Sequence, residues 1–231
     1  MAYPVMERQS SQRQTETSPA GWATHGLMSF SEPPQPLLLR HGQAESQTQS
    51  DSWRLEMLTT LTGAAHVYGN HIDTDRIIPG KYTKTLDLES MASHVLEDLD
   101  PTFRTRMSKG DIVIGGDNFG CGSSREQAPL ALKTAGVSVV LARYFARIFY
   151  RNAINIGLPL LEVPDLEAET GDEIEVNLAE GLVYNKTKRT QHCARAMPAV
   201  MIDILQCGGL VPYLQKYGTY QSTPKMGEPR P

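Results

Sequence analysis

The amino-acid sequence predicts an α/β domain, with a mixed sheet built on a parallel βαβ core. Two observations carry that prediction. Between residues 111 and 163, short apolar runs alternate with helical patterns, and between residues 171 and 184 two strand-like runs face each other across Glu180-Gly181. The composition agrees: of 231 residues, 40% are hydrophobic and 21% charged, enough to bury a core. A net charge of −4 and a pI near 5.9 give no electrostatic footprint for nucleic acid or an anionic membrane. Mean hydropathy is −0.34, and no apolar run approaches the roughly 18 residues of a membrane span. A cytoplasmic protein is expected. Cys121, Cys193 and Cys207 form no C-x-x-C pair, so neither a disulfide framework nor a zinc or iron–sulfur site held by this chain alone is expected.

The elements follow in chain order. Residues 1–52 hold seven Gln, eight Ser and five Pro but no Lys, and they lack apolar periodicity beyond Leu37-Leu38-Leu39. Such a segment cannot offset its ordering entropy, so residues 1–56 are expected to be a disordered, low-complexity extension. An organelle-targeting peptide is the alternative, and three Arg against five acids weigh against it. Residues 61–68 read as a strand and residues 70–75 as a polar loop opening onto Ile77-Ile78-Pro79. Apolar residues at 88, 91, 92, 95, 96 and 99 predict a helix over 88–99, closed by Asp100-Pro101. A buried strand at 111–115 leads through a glycine-rich loop to a helix ending near Gly136. Then come a strand at 137–142, a helix at 144–156 and a strand at 158–163. A hairpin over 171–178 and 182–184 follows, and a last amphipathic helix at 197–206 stops at Gly208-Gly209. The alternating aromatic and basic residues of 144–152 fit a packed amphipathic helix better than an RNA-stacking surface at this net charge.

The richest stretch runs from Gly115 to Glu126, reading GGDNFGCGSSRE. It joins a strand to a helix, where backbone N–H groups can hold an anion. A P-loop fails for want of a lysine after the last glycine, and a dinucleotide fingerprint fails at Arg125, where a small residue is required. What remains is a pair of hydroxyls and a guanidinium. Arg125 offers a planar fork for a carboxylate, and a serine beside it can transfer a proton. The competing interpretation is that Ser123-x-x-Glu126 is a capping box. Pro129 is tolerated only in a first turn, which puts the helix start at or after Glu126 and both serines before it. Asp73 and Asp75 sit two residues apart with no third hard ligand at a known spacing, so a buried Asp paired with a His or Arg is expected rather than a metal site.

Four stretches carry a resemblance: GNHIDTDRIIP from Gly69, GDNFGCGSSRE from Gly116, ARIFYRNAINIGLP from Ala146 and GGLV from Gly208. Over about residues 57–217 the chain closely resembles the small subunits of 3-isopropylmalate dehydratase, a family similar to the swivelling C-terminal domain of aconitase. Met57 begins a segment of family-typical length, and residues 218–231 are left as a flexible tail. The resemblance implies a swivelling β/β/α fold and a heterodimer or heterotetramer with a large subunit. It also implies that this chain binds no cofactor itself, because the large subunit's own cysteines hold a [4Fe–4S] cluster. The reaction implied removes and re-adds water on a small hydroxy acid.

Carried onto this sequence, the serine base falls on Ser123 and the carboxylate-binding arginine on Arg125. Ser124 adds a hydroxyl beside them, and the supporting aspartate falls on Asp75. The substrate-reading loop is Tyr82-Thr83-Lys84-Thr85, of which Tyr82, Lys84 and Thr85 are taken as substrate-binding. Lys84 departs from both the uncharged residue of isopropylmalate-type members and the arginine of homoaconitase-type members. Its stem can pack on an isopropyl group, or its ammonium can meet a third carboxylate. The function expected is interconversion of 2- and 3-isopropylmalate in leucine biosynthesis. The alternatives are a homoaconitase-like or specialised-metabolism hydratase, and a binding module without a partner.

Overall fold

The structure, a computed structural model, describes residues 59–219. The extension expected over 1–56 lies outside the described residues, and of the tail expected at 218–231 only residues 218 and 219 fall within them.

Strand β1 (Thr60–Val67) organises the sheet, because its two halves pair differently. Residues 60–64 run antiparallel to β5 (Glu173–Asn177), whereas residues 65–67 run parallel to β2 (Ile112–Gly115). Beyond β2 lie β3 (Val139–Ala142) and β4 (Leu160–Glu162), both parallel. Beyond β5 lie β6 (Leu182–Asn185) and β7 (Thr190–Cys193), both antiparallel. The described strands form one sheet in the order β4-β3-β2-β1-β5-β6-β7. Gly63 sits near the change of partner, where an added Cβ would lie 2.3 Å from the Gly110 carbonyl oxygen.

The parallel strands are buried on both faces, so their side chains alternate between two cores. Val113 and Val140 pack with Phe119, Leu132, Phe149 and Tyr213 under the helices. Ile112, Ile114, Val139 and Leu141 pack with Ile174, Val176 and Val183 of the antiparallel half. Three layers result, antiparallel strands on one face of the parallel half and helices on the other. This is the expected α/β, β/β/α arrangement.

The helices depart from the sequence expectation in identifiable ways. The polar loop after β1 contains a helical turn, α1 (Thr74–Ile77), whose N-cap Asp73 accepts the Arg76 N–H. The helix expected over 88–99 stops early, as α2 (Leu88–Ser93). Leu96 instead takes φ 60° and donates its N–H to the Ile77 carbonyl (2.8 Å), trading helix continuation for a tie to the core. A short α3 (Phe103–Arg106) had no sequence signal, and it buries Phe103. Helix α4 (Gln127–Ala135) ends as predicted, with Gly136 in the left-handed conformation. Helix α5 (Arg147–Ile156) begins three residues later than expected, because Tyr144 and Ala146 pair their backbones with Phe119. Helix α6 (Ala199–Gln206) is not the last: Gly208-Gly209 turns the chain into α7 (Leu210–Tyr217). Lys133 joins these ends, donating to the carbonyls of Ile156 and Gly208.

Candidate active site

Beyond the carboxyl ends of the adjacent parallel strands β1 and β2, the chain leaves as two loops running side by side. In open α/β sheets this is where ligands bind. Backbone bonds zip the loops together: Gly116 N–H to Gly69 O (3.0 Å), His71 N–H to Asp117 O (2.7 Å), Gly120 N–H to Ile72 O (2.7 Å) and Thr74 N–H to Cys121 O (2.9 Å). The glycines of the motif answer to this crowding. A Cβ on Gly116 would lie 1.8 Å from Asn70 Oδ1, which accepts the Asp117 N–H. A Cβ on Gly120, whose φ is 77°, would lie 2.1 Å from the Phe149 ring. Packing explains both residues without a phosphate.

Ser123, Ser124 and Arg125 lie before α4, whose N-cap is Glu126 with no side-chain cap bond. The capping box is therefore not formed. Both serines are exposed, and among the described residues their hydroxyls have no hydrogen-bond partner. The Ser123 carbonyl accepts from Thr74 Oγ1 (3.1 Å) and from the Arg125 N–H (2.8 Å). Arg125 donates to Asp75 Oδ1 at 2.5 Å, so two residues fifty apart in sequence form one unit. Asp75 is not the buried carboxylate expected: its side chain is 56% exposed, on the first turn of α1. Gly80 lies against this pair, since a Cβ there would sit 3.2 Å from an Arg125 terminal nitrogen and 3.6 Å from Asp75 Oδ1.

Gly80 opens a 3₁₀ turn, Gly80–Tyr82, from which the chain continues into the 82–85 loop. Tyr82 is not free: its hydroxyl donates to Glu97 Oε1 (3.1 Å) and its ring stacks on His94. The Glu97 carboxyl is held below its ordinary value, first by the His94 hydrogen bond, with burial opposing and Tyr82 and Lys81 adding. Thr85 Oγ1 accepts the Asp87 N–H, while Lys84 is exposed and makes no ion pair among the described residues. Asp75 and Arg125 are thus joined directly and Ser123 is tied to them through Thr74, whereas Lys84 and Thr85 make no contact with that group. Sequence reasoning passed over Thr74, Gly80 and Glu97. Thr74 stood between two aspartates that drew the attention, and Glu97 was assigned to a helix that does not reach it.

Among the described residues, no group of three or more His, Cys, Asp or Glu side chains is arranged to hold a metal ion. Cys121 and Cys207 are partly buried and Cys193 is exposed, and none belongs to such a group, so the thiolate set of an iron–sulfur cluster is not assembled among the described residues. The described residues therefore do not fit an iron–sulfur cluster. Two clefts of about 550 and 450 Å³ are lined respectively by residues such as Tyr144, Arg147 and Met201, and Leu61, Ile202 and Tyr217; neither contains Ser123, Arg125 or Asp75. Ser123 is exposed, and the Arg125 and Asp75 side chains are only partly covered. No helix among the described residues is long and apolar enough to cross a membrane.

The aconitase C-terminal domain family matches residues 55–166. The 3-isopropylmalate dehydratase small subunit of Moorella thermoacetica is 48% identical over 158 residues, which cover 68% of this chain and 95% of that protein. Small subunit 1 of Methanopyrus kandleri is 50% identical over 164 residues, covering 70% and 96%. The chain belongs to the 3-isopropylmalate dehydratase small-subunit family. A crystal structure of 3-isopropylmalate dehydratase from Methanocaldococcus jannaschii superposes with a TM-score of 0.66 at 42% identity, covering 69% of this chain and 95% of that one. The fold and enzyme class expected from the resemblance, an aconitase-type α/β domain of a hydro-lyase, are those of this small-subunit family.

Proposed function

We propose that this chain works with a large-subunit partner to interconvert 2-isopropylmalate and 3-isopropylmalate, a step of leucine biosynthesis. The observation that carries the proposal is an exposed, uncapped Ser123 tied through Thr74 to the Arg125–Asp75 pair. Arg125 binds a substrate carboxylate through its planar fork, and Asp75 holds the guanidinium in orientation. Ser123 Oγ, acting as the alkoxide, takes the proton from the carbon beside that carboxylate as hydroxide leaves the neighbouring carbon. On hydration the protonated serine gives its proton to the carbon that lost hydroxide, and hydroxide adds to the carbon that lost the proton. Ser124 adds a hydroxyl to the same carboxylate site. The stem of Lys84 packs against the isopropyl group with its ammonium in water, and Thr85 lies beside it. A [4Fe–4S] cluster on the large subunit would supply the Lewis acid for the leaving hydroxyl. The open surface around Ser123 supports a site completed by a second chain, as a heterodimer or a dimer of heterodimers.

Residues 57–217 are proposed as the swivel domain of a cytoplasmic enzyme, with 1–56 as an extension dispensable for assembly. The test is co-purification with a candidate large subunit, followed by hydratase assays on isopropylmalate, homoaconitate and citrate. Turnover of isopropylmalate is expected only from the complex. Turnover by this chain alone after anaerobic cluster reconstitution would overturn the two-chain reading, and a strong preference for a tricarboxylate would overturn the substrate.

A further inference from the structure

The 82–85 loop is braced from outside the site by a single carboxylate. Tyr82 Oη donates to Glu97 Oε1 (3.1 Å), Lys81 Nζ lies 3.5 Å from the same oxygen, and His94 Nδ1 lies 2.5 Å from Oε2. The Tyr82 and His94 rings stack at 3.6 Å, with their planes 3° apart, and Lys81 Nζ stands 4.6 Å over the Tyr82 ring. Three side chains that could otherwise swing freely are therefore held in one arrangement.

This hub stands where the chain leaves the helix its apolar spacing predicts. Leu96, immediately before Glu97, holds a left-handed φ of 60°, which is unfavourable for a leucine. It is kept there by full burial of its side chain and by its bond to the Ile77 carbonyl. Were the helix to continue through Glu97, the Leu96 N–H would bond within the helix and not to Ile77.

The braced turn also has defined ends. Thr83 closes it through Oγ1 (2.9 Å) and N–H (3.3 Å) to the Gly80 carbonyl. At one end Gly80 lies against Arg125, and at the other stands Lys84, exposed and unpaired among the described residues. Tyr82, held by Glu97 and His94, stands between these two ends. We infer that Glu97 is a positioning residue for specificity: by anchoring Tyr82 and His94, it sets the distance between the carboxylate-binding Arg125 and Lys84-Thr85, and so the length of hydroxy acid accepted. This inference deepens the proposed function and rests on it.

The test uses the full chain with its large subunit and the variants Glu97→Ala, Glu97→Gln and Tyr82→Phe. Glu97→Ala should raise KM for 3-isopropylmalate by about ten-fold, the scale of one charge-assisted hydrogen bond. Its kcat should stay within about two-fold, because Glu97 contacts neither Ser123 nor Arg125. Discrimination between 3-isopropylmalate and the longer homoaconitate should shrink alongside. Glu97→Gln, which keeps an acceptor, should recover part of the loss. Tyr82→Phe keeps the ring stack and loses only the hydroxyl, so about a three-fold rise in KM is expected. A fall in kcat with unchanged KM, or unchanged discrimination, would overturn the inference. Amide hydrogen exchange on this chain alone reads the brace without substrate: residues 81–85 should exchange faster in Glu97→Ala while residues 120–126 do not change. Unchanged exchange at 81–85 would overturn the brace. A wild-type complex that turns over none of the hydroxy acids would instead overturn the proposed function, and the specificity role with it.

Discussion

A buried histidine–carboxylate pair and an exposed ion pair at the parallel half of the sheet make opposite uses of charge. His66 Nε2 and Asp111 Oδ2 lie 2.9 Å apart across β1 and the entry to β2, with side chains 5% and 10% exposed. Asp111 also accepts N–H bonds from Ala64 (3.2 Å) and Ser108 (2.8 Å), and the His66 ring packs edge-on to Phe103. Arg125 and Asp75 pair where water reaches both, with side chains 25% and 56% exposed. An exposed pair contributes little to stability, whereas removing one partner of a buried pair strands the other. The buried pair therefore serves the fold, and the exposed pair is free to serve a ligand.

The largest effect that would sharpen this contrast is on turnover. Ser123→Ala in the reconstituted complex should lower kcat by about 10²–10⁴, the range for a positioned acid–base group. Its melting temperature should not move, because the hydroxyl has no hydrogen-bond partner among the described residues. Nearly full kcat with a lowered melting temperature would return Ser123 to a structural role.

Next comes the buried pair. Asp111→Ala strands the Ala64 and Ser108 N–H groups and His66, so a loss of about 3 kcal/mol is expected in denaturant unfolding. A loss below about 1 kcal/mol would break the contrast between the pairs, since that is the range for exposed ones. Acid should remove the same charge reversibly, and with less effect. Burial alone would raise the Asp111 carboxyl, but the Ser108 N–H, His66 and the Ala64 N–H together hold it below its ordinary value. A depressed folded-state value means that this stabilisation is complete above the ordinary carboxylate range, about pH 4, and is lost as pH falls through the folded value. Stability of the wild-type chain measured from pH 6 to 3 should therefore decline more steeply than that of Asp111→Asn.

The smallest of these effects belongs to the exposed pair. Arg125→Lys keeps the charge and loses the fork, so kcat/KM should fall about ten-fold while stability changes by less than about 1 kcal/mol. A large stability loss would show that the pair supports the fold after all.

Much of the fold was legible because local rules were obeyed. Pro129 confined the start of α4, Gly136 ended it in the left-handed conformation, and apolar runs marked the parallel strands. The placement of Ser123, Ser124 and Arg125 before α4 was equally local. The Asp75–Arg125 pair was not, because only the parallel pairing of β1 with β2 brings together loops fifty residues apart. The same holds where helices were misjudged. The stripe from 88 to 99 names Val95 and Leu96 as buried, and they are, yet α2 stops at Ser93 because the Leu96 N–H finds Ile77. Likewise, Phe145 is buried, but the backbone around it pairs with Phe119 before α5 can begin. Side-chain periodicity in a sequence states which residues leave water. Which distant carbonyl each backbone N–H will meet is decided only when the strands have paired and the loops lie side by side, and that choice put Glu97 beside Tyr82 and Asp75 beside Arg125.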